Sequence, residues 1–599
     1  MAQLIRDAPV GQVIRFITRN KFLQYPEERA DFQLPRQWLD VLSSDPEKRS
    51  PEGTSAIPPA SSSASTTTDE EKAVSRHEVE DPAPYGASTT RTRSRQETAP
   101  HGQAGLEVDE IHEIEKTRSI PIAPRKTKDG AILVDWYFSD DAENPQNWSN
   151  AKRALITIVI CVYTFVVYTS SAIYTTSVEG VIHEFGVDLT EASLGLALFV
   201  LGYGIGPLLF SPLSEIPRIG RNPIYIVTMF LFVIVSIPAP LADNFAGLMV
   251  LRFLQGLFGS PCLASGAASL GDMYSLLNLP YALIAWVSAA YCGPALGPLL
   301  SGYSVPAMGW RWSLWEILWA AAPVFVVMFA LLPETSTPNI LLRRAERLRR
   351  LTGDARFMSQ SEIDQRNLKT SAVVVDALIK PLEITIKDPA ILFVQVYTAI
   401  VYAIYYSFFE VFPLVYPVYY NMTVGQIGLV FLCILVSCLI GVAMYMSYLA
   451  FYMNPRIRKL GMPVQETRLV PALLGAFGPT IGLFIFAWTA SPAIHWIAPT
   501  IGITVYGASV FVVTQCIFVY VPLSYPQYAA SLFAGNDFFR SALAFASILF
   551  ARPLYGNLGV ARGTSLLGGL STIGIIGIWL LYFDGARLRS KSRFAVSSD

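Results

Sequence analysis

Twelve apolar stretches, each roughly 20 residues long, follow one another beyond Lys152, and no other feature constrains this chain as much. A helix rising about 1.5 Å per residue needs that length to cross about 30 Å of hydrocarbon. In lipid the backbone must satisfy its own hydrogen bonds, so helices are the form such stretches take. Their limits read 154–174, 190–212, 223–241, 245–270, 281–303, 313–333, 390–414, 425–449, 469–489, 495–521, 528–550 and 563–583. The chain is 52% hydrophobic and 15% charged, against about 25% charged in soluble domains. It is therefore read as an all-α membrane protein with twelve transmembrane helices in two six-helix halves.

Five regions follow from this pattern. Residues 1–150 form a cytoplasmic and largely disordered N-terminal region, rich in Ser, Thr, Pro, Glu and Arg from Asp45 to His101, a composition that buries too little apolar surface to offset chain entropy. Its first residues, Leu4 to Leu23, are broken by charges and read as a surface helix, amphipathic on the membrane or solvated. Residues 151–335 form the first bundle, 336–388 a cytoplasmic central loop, 389–583 the second bundle and 584–599 a cytoplasmic tail. Orientation comes from Arg218, Arg221, Arg343, Arg344, Arg347, Arg349, Arg350, Arg456, Arg458, Lys459, Arg587, Arg589, Lys591 and Arg593, which all fall on one side.

Composition also excludes functions. A net charge of -1 and no basic stripe with aromatics argue against nucleic acid. The six cysteines lie in apolar spans without metal-type spacing, so neither metal nor cofactor is expected. A nucleotide-binding Gly-x-x-x-x-Gly-Lys motif is missing, which argues against ATP drive. No Ser/His or His/Asp constellation lies in the spans, so the chain is not read as an enzyme.

Two local features point to transport. Span five carries Gly293-Pro294 and Gly297-Pro298, followed by Gly302. Glycine costs about 1 kcal/mol and proline about 3 kcal/mol in a solvated helix, so such a span needs close neighbours and is expected to kink. Span four carries Arg252, a cation that is costly in hydrocarbon and must face the bundle interior.

The motifs then fall in a fixed order: Gly202-Tyr203-Gly204-Ile205-Gly206-Pro207 through Glu215 and Gly220-Arg221-Asn222-Pro223; Arg252 with Gln255-Gly256; the paired Gly-Pro steps; Leu332-Pro333-Glu334-Thr335; Phe408-Phe409-Glu410; and Asn536-Asp537 with Arg540. In this order the chain resembles the major facilitator superfamily, and within it the fungal twelve-span drug:proton antiporters of the benomyl and fluconazole exporter type. The resemblance implies the major facilitator fold, with two halves rocking about a midplane site. It also implies that Arg252 couples protonation to transport; the alternative is an arginine snorkelling outward or hydrogen-bonded to carbonyls for packing alone. By the same resemblance Glu215, Arg218, Arg221 and Asp272 would form a cytoplasmic gate, and Gly293, Pro294, Gly297, Pro298 and Gly302 the antiporter-motif helix.

At 100° per residue, Tyr402, Tyr405, Tyr406, Phe409 and Glu410 share one sector of span seven, an aromatic face suited to bulky and sometimes cationic compounds. Gln255 and Asn536 are added to this substrate cavity. Span one holds no acid and the histidines lie outside or at the edges of spans, leaving Asp537 or Glu410 to carry the proton. The expected function is proton-coupled efflux of hydrophobic drugs or toxins across the plasma membrane, with protons and lipid as the other partners and both termini cytoplasmic. The alternatives are a proton-coupled importer or exporter of one metabolite, or a non-transporting receptor.

Overall fold

The computed structural model describes residues 2–43 and 119–592, apart from 128, 276, 366–378, 380, 381, 462, 526 and 527. Among these residues, eleven helical stretches are long and apolar enough to cross a membrane. In chain order they are Asn150–Phe185, Leu189–Glu215, Arg221–Leu241, Phe245–Met273, Leu279–Met308, Trp312–Leu331, Pro389–Tyr420, Val424–Leu460, Gln465–Thr489, Ile497–Ser524 and Val560–Lys591. The remaining expected span is the helix Ala529–Leu558. It falls short on composition because Asn536, Asp537, Arg540 and Arg552 interrupt its apolar run, yet it packs against spans two and seven. We number it span eleven, and Val560–Lys591 span twelve.

Local chemistry sets the helix starts. Span two begins on a capping box, with the Asp188 amide donating to Glu191 Oε2 at 2.9 Å. Asp388 opens span seven by accepting from the amides of Ala390 and Ile391 at 3.0 and 3.3 Å. Span four breaks at Ser260 into Phe245–Gly259 and Pro261–Met273. Span five is one uninterrupted helix despite Pro294, Pro298 and Pro306 inside it. Close neighbours support it: a Cβ on Gly293 would lie 2.7 Å from the Tyr168 Cβ, and one on Gly297 3.0 Å from the Ile173 amide nitrogen. Small residues let helix backbones approach in lipid.

The two halves meet chiefly along two seams, span two against span eleven and span five against span eight. At the first, a Cβ on Gly204 would fall 2.3 Å from the Ser541 Cβ. At the second, Gly428 backs onto the Pro298 carbonyl at 2.6 Å by the same measure, and Gly302 onto the Val424 carbonyl at 3.0 Å. Large apolar side chains such as Ile158, Val227, Leu439, Leu474 and Ile576 stand exposed around the bundle, an arrangement suited to a lipid solvent.

Part of the region expected to be disordered is folded. Residues 2–43 and 119–149 build a small module on the central helix Thr337–Thr352. Strand β1 (Arg125–Lys126) pairs antiparallel with β2 (Ile132–Leu133), which pairs parallel with β3 (Phe357–Met358). Trp38, Ile132, Val134, Tyr137, Ala345, Leu348 and Phe357 form its apolar core. Beneath it, Arg344 and Arg347 are buried against Glu27, Asp141 and Glu143. The stretch Asp45 to His101 lies outside the described residues. At the other end span twelve runs on to Lys591, through the first half of what the sequence reads as a tail.

Candidate functional site

A cavity lies between the halves at mid-depth. Spans one, five, seven, ten and eleven contribute Tyr168, Trp286, Tyr291, Tyr402, Phe518 and Arg540 to its wall, around a narrow space of about 50 Å³. Of the residues expected to line it, Tyr402 and Tyr405 do so. Tyr406 and Phe409 stand one layer behind, their rings 5.7 and 6.1 Å from that of Tyr405. Asn536 also sits behind the wall, donating to Gln395 Oε1 and Thr398 Oγ1 at 2.7 Å each.

Three phenols close the cavity across the halves. The Tyr203 hydroxyl lies 2.6 Å from that of Tyr402 and 2.8 Å from that of Tyr406. Arg540 projects over the Tyr402 ring at 4.7 Å and forms an ion pair with Asp537 one turn earlier. Asp537 is buried, and its second carboxylate oxygen has no hydrogen-bond partner among the described residues. This places an acid, a base and an aromatic wall in one contiguous group.

Glu410 stands apart from that cavity. Its Oε1 accepts from Ser193 at 3.2 Å and its Oε2 from Arg552 at 3.0 Å, so it ties span seven to spans two and eleven. Gln255 is not at the cavity either; it bridges Arg252 to Ser236.

Arg252 is fully buried but meets no carboxylate among the described residues. Its Nε donates to the Gly195 carbonyl at 3.0 Å, one terminal nitrogen to Gln255 Oε1 at 3.1 Å and the other to the carbonyls of Ser170 and Ser171 at 3.1 and 3.4 Å. Phe199 and Tyr174 cover its faces at 4.6 and 5.0 Å. The charge thus fastens span four to spans one and two through main-chain oxygens, with no acid in contact with it among the described residues.

Of the four residues expected at the gate, two form an ion pair and Glu215 acts on that pair through its charge alone. Arg221 pairs with Asp272, Nε to Oδ2 at 2.6 Å and a terminal nitrogen to Oδ1 at 3.3 Å. Glu215 and Arg218 are exposed at the end of span two and make no ion pair among the described residues. Glu334 takes their place, accepting from the amides of Arg221 and Asn222 at 3.1 Å each and from those of Thr335 and Ser336. It is a carboxylate at the positive end of span three. Gly220 adopts φ +80°, and a Cβ there would fall 2.4 Å from Glu334 Oε2, so glycine answers both demands.

Residues 160–551 match the family model described as Major Facilitator Superfamily. The chain belongs to that superfamily. Among its relatives, "MFS-type transporter pyvG" of Aspergillus violaceofuscus is 48% identical over 79% of this chain and 87% of its own. "Fluconazole resistance protein 1" of Saccharomyces cerevisiae is 38% identical over 78% of this chain and 86% of its own. The fold is shared with the xylose transporter XylE from E. coli in a partially occluded inward-open conformation, with a TM-score of 0.51 at 15% identity over 72% of this chain and 98% of that one.

Tyr168, Trp286, Tyr291 and Phe518 line the cavity from spans one, five and ten, and nothing in an apolar run marks which of its aromatic residues turn inward. Arg540 stands in the sequence only as a motif residue beside Asp537. Glu334 was quoted in a motif without a role, although a glycine just before a helix start invites a capping carboxylate.

Proposed function

We propose that this chain exports bulky, largely apolar toxic compounds, driven by proton entry, across the plasma membrane with both termini cytoplasmic. One observation carries the reading: the buried Asp537–Arg540 pair beside an aromatic cavity formed between two halves. The wall suits flat apolar and aromatic compounds through stacking. The drug-resistance name of a relative 38% identical supports substrates of that kind.

Proton binding to Asp537 would neutralise the partner that holds Arg540 and release the guanidinium toward the cavity. A cation at that wall disfavours a bound cationic compound and alters the wall for a neutral one. Protonation then supplies the difference in binding between the two access states that coupled transport requires. Asp537 is accordingly assigned the proton, Arg540 the coupling, and Glu410 a role in tying spans together.

The test is substrate flux into sealed inside-out vesicles under an imposed pH gradient. Wild type is expected to concentrate a fluorescent apolar drug, and Asp537→Asn to leave only gradient-independent movement. Full proton dependence in Asp537→Asn would remove Asp537 from this role, and the absence of flux in wild type would favour a receptor.

A further inference from the structure

The first helical segment is built inside out. In the helix Pro9–Ile17, Arg15 is buried and donates to Glu28 at 2.7 and 2.8 Å and to the Leu23 carbonyl at 2.7 Å. Val13, Phe16 and Ile17, spaced to share one face, are 45%, 85% and 72% exposed. Phe22 just beyond is 66% exposed. In water this arrangement is unfavourable by the apolar area it leaves uncovered.

Its position gives the reason. The helix packs against spans three and six at the basic end of the bundle, where span three exposes Val227 and, further along, Phe230 and Ile234. Val13 and Phe16 of the uncovered face share one groove wall with Ile226 and Val227 of span three. Between this helix, the start of span three and the central helix lies an open groove of about 580 Å³. Ile226 and Val227 line it at one side, Arg343 and Arg350 at the other. The other basic residues in its wall are occupied, Arg15 by Glu28 and Arg347 by Glu27 and Glu143, whereas Arg343 and Arg350 form no ion pair among the described residues. Of the acids that reach the groove, Asp7 is engaged by Arg6, Glu28 by Arg15 and Glu334 by main-chain amides, leaving Glu346.

We propose that this groove is a site for an anionic phospholipid. The helix Pro9–Ile17 lies in the bilayer interface with Val13, Phe16 and Ile17 among the acyl chains. Arg343 and Arg350 take the phosphate and the carboxylate of a headgroup such as phosphatidylserine, and an acyl chain runs down Ile226 and Val227. Apolar continuity selects a lipid, and the two unpaired guanidinium groups select a negative headgroup. The N-terminal module is thereby fixed to the membrane beside the Arg221–Asp272 pair.

The probe is fluorescent phosphatidylserine titrated into the full-length protein in a zwitterionic detergent, with fluorescent phosphatidylcholine and inorganic phosphate as competing arms. Wild type is expected to prefer phosphatidylserine. Arg343→Gln with Arg350→Gln should lose the preference by roughly fivefold per arginine, from about 1 kcal/mol for each basic residue at an anionic surface. Phe16→Gln with Ile17→Gln should weaken both lipids alike. Equal binding of the two lipids to wild type, displacement by inorganic phosphate alone, or an unchanged preference in a folded arginine variant would each overturn the site. Should the arginine variant fail to fold, the comparison on wild type decides.

Discussion

A single guanidinium on span four holds two neighbouring helices by their main chain. Arg252 satisfies the carbonyls of Ser170, Ser171 and Gly195 and the side chain of Gln255 at once, a fork that a lysine ammonium cannot reproduce. Buried acceptors left without donors each cost about 1–3 kcal/mol. Arg252→Lys is therefore expected to lower the melting temperature of the detergent-solubilised protein and, in transport, to follow folding rather than pH. A variant as stable as wild type whose flux has lost its pH dependence would restore the coupling role that the resemblance implies. The burial of Arg252 was legible in the sequence, because a cation in a long apolar run has nowhere else to go. Its partners were not, since carbonyl oxygens carry no residue signature.

Helix packing shows the same division. Paired Gly-Pro steps announce close neighbours, and the neighbours are there, but which helices supply them depends on a three-dimensional arrangement that periodicity does not encode. Gly293 faces the backbone of span one and Gly302 the start of span eight. Gly293→Ala places a methyl 2.7 Å from the Tyr168 Cβ and 2.8 Å from the Thr169 amide nitrogen, atoms without freedom to move aside. Overpacking of this kind costs typically 1–3 kcal/mol, so it is expected to reduce thermal stability by about that much. Gly569→Ala, with no atom within 4 Å of the added methyl, serves as the neutral comparison. Equal melting temperatures for the two variants would show that span five tolerates separation from span one. Span eleven illustrates the opposite limit: Asn536, Asp537 and Arg540 lower its hydropathy, yet its apolar length still reads as a span in the sequence and forms the helix Ala529–Leu558.

At the scale of the whole molecule, the basic residues after span six do two things. Positive charge outside the spans was legible as a sign of topology, whereas the burial of Arg344 and Arg347 among acids from residues 27, 141 and 143 was hidden by more than 190 residues of separation. Burial alone would raise the Asp141 carboxyl, but the Arg344 guanidinium beside it and its backbone hydrogen bonds hold it below the usual carboxylate range. A depressed folded value means stability that is complete above the unfolded Asp value near 3.9 and is lost as pH falls through the folded one. Protease resistance of residues 2–43 is thus expected to persist through mildly acidic pH and to fail only below about pH 4. Arg347→Gln leaves the three buried carboxylates of Glu27, Asp141 and Glu143 to Arg344 alone and is expected to weaken docking by about 3–5 kcal/mol, exposing that segment to protease at neutral pH. Resistance equal to wild type would mean the apolar core around Trp38 suffices.

The phenol trio at mid-depth sets how the halves come apart. Because Tyr203, Tyr402 and Tyr406 are neutral, breaking their bonds leaves no orphaned ion in oil, and any incoming molecule with one acceptor group can inherit a hydroxyl. A latch of that type opens at modest cost for many different visitors, which is the economy a broad exporter needs.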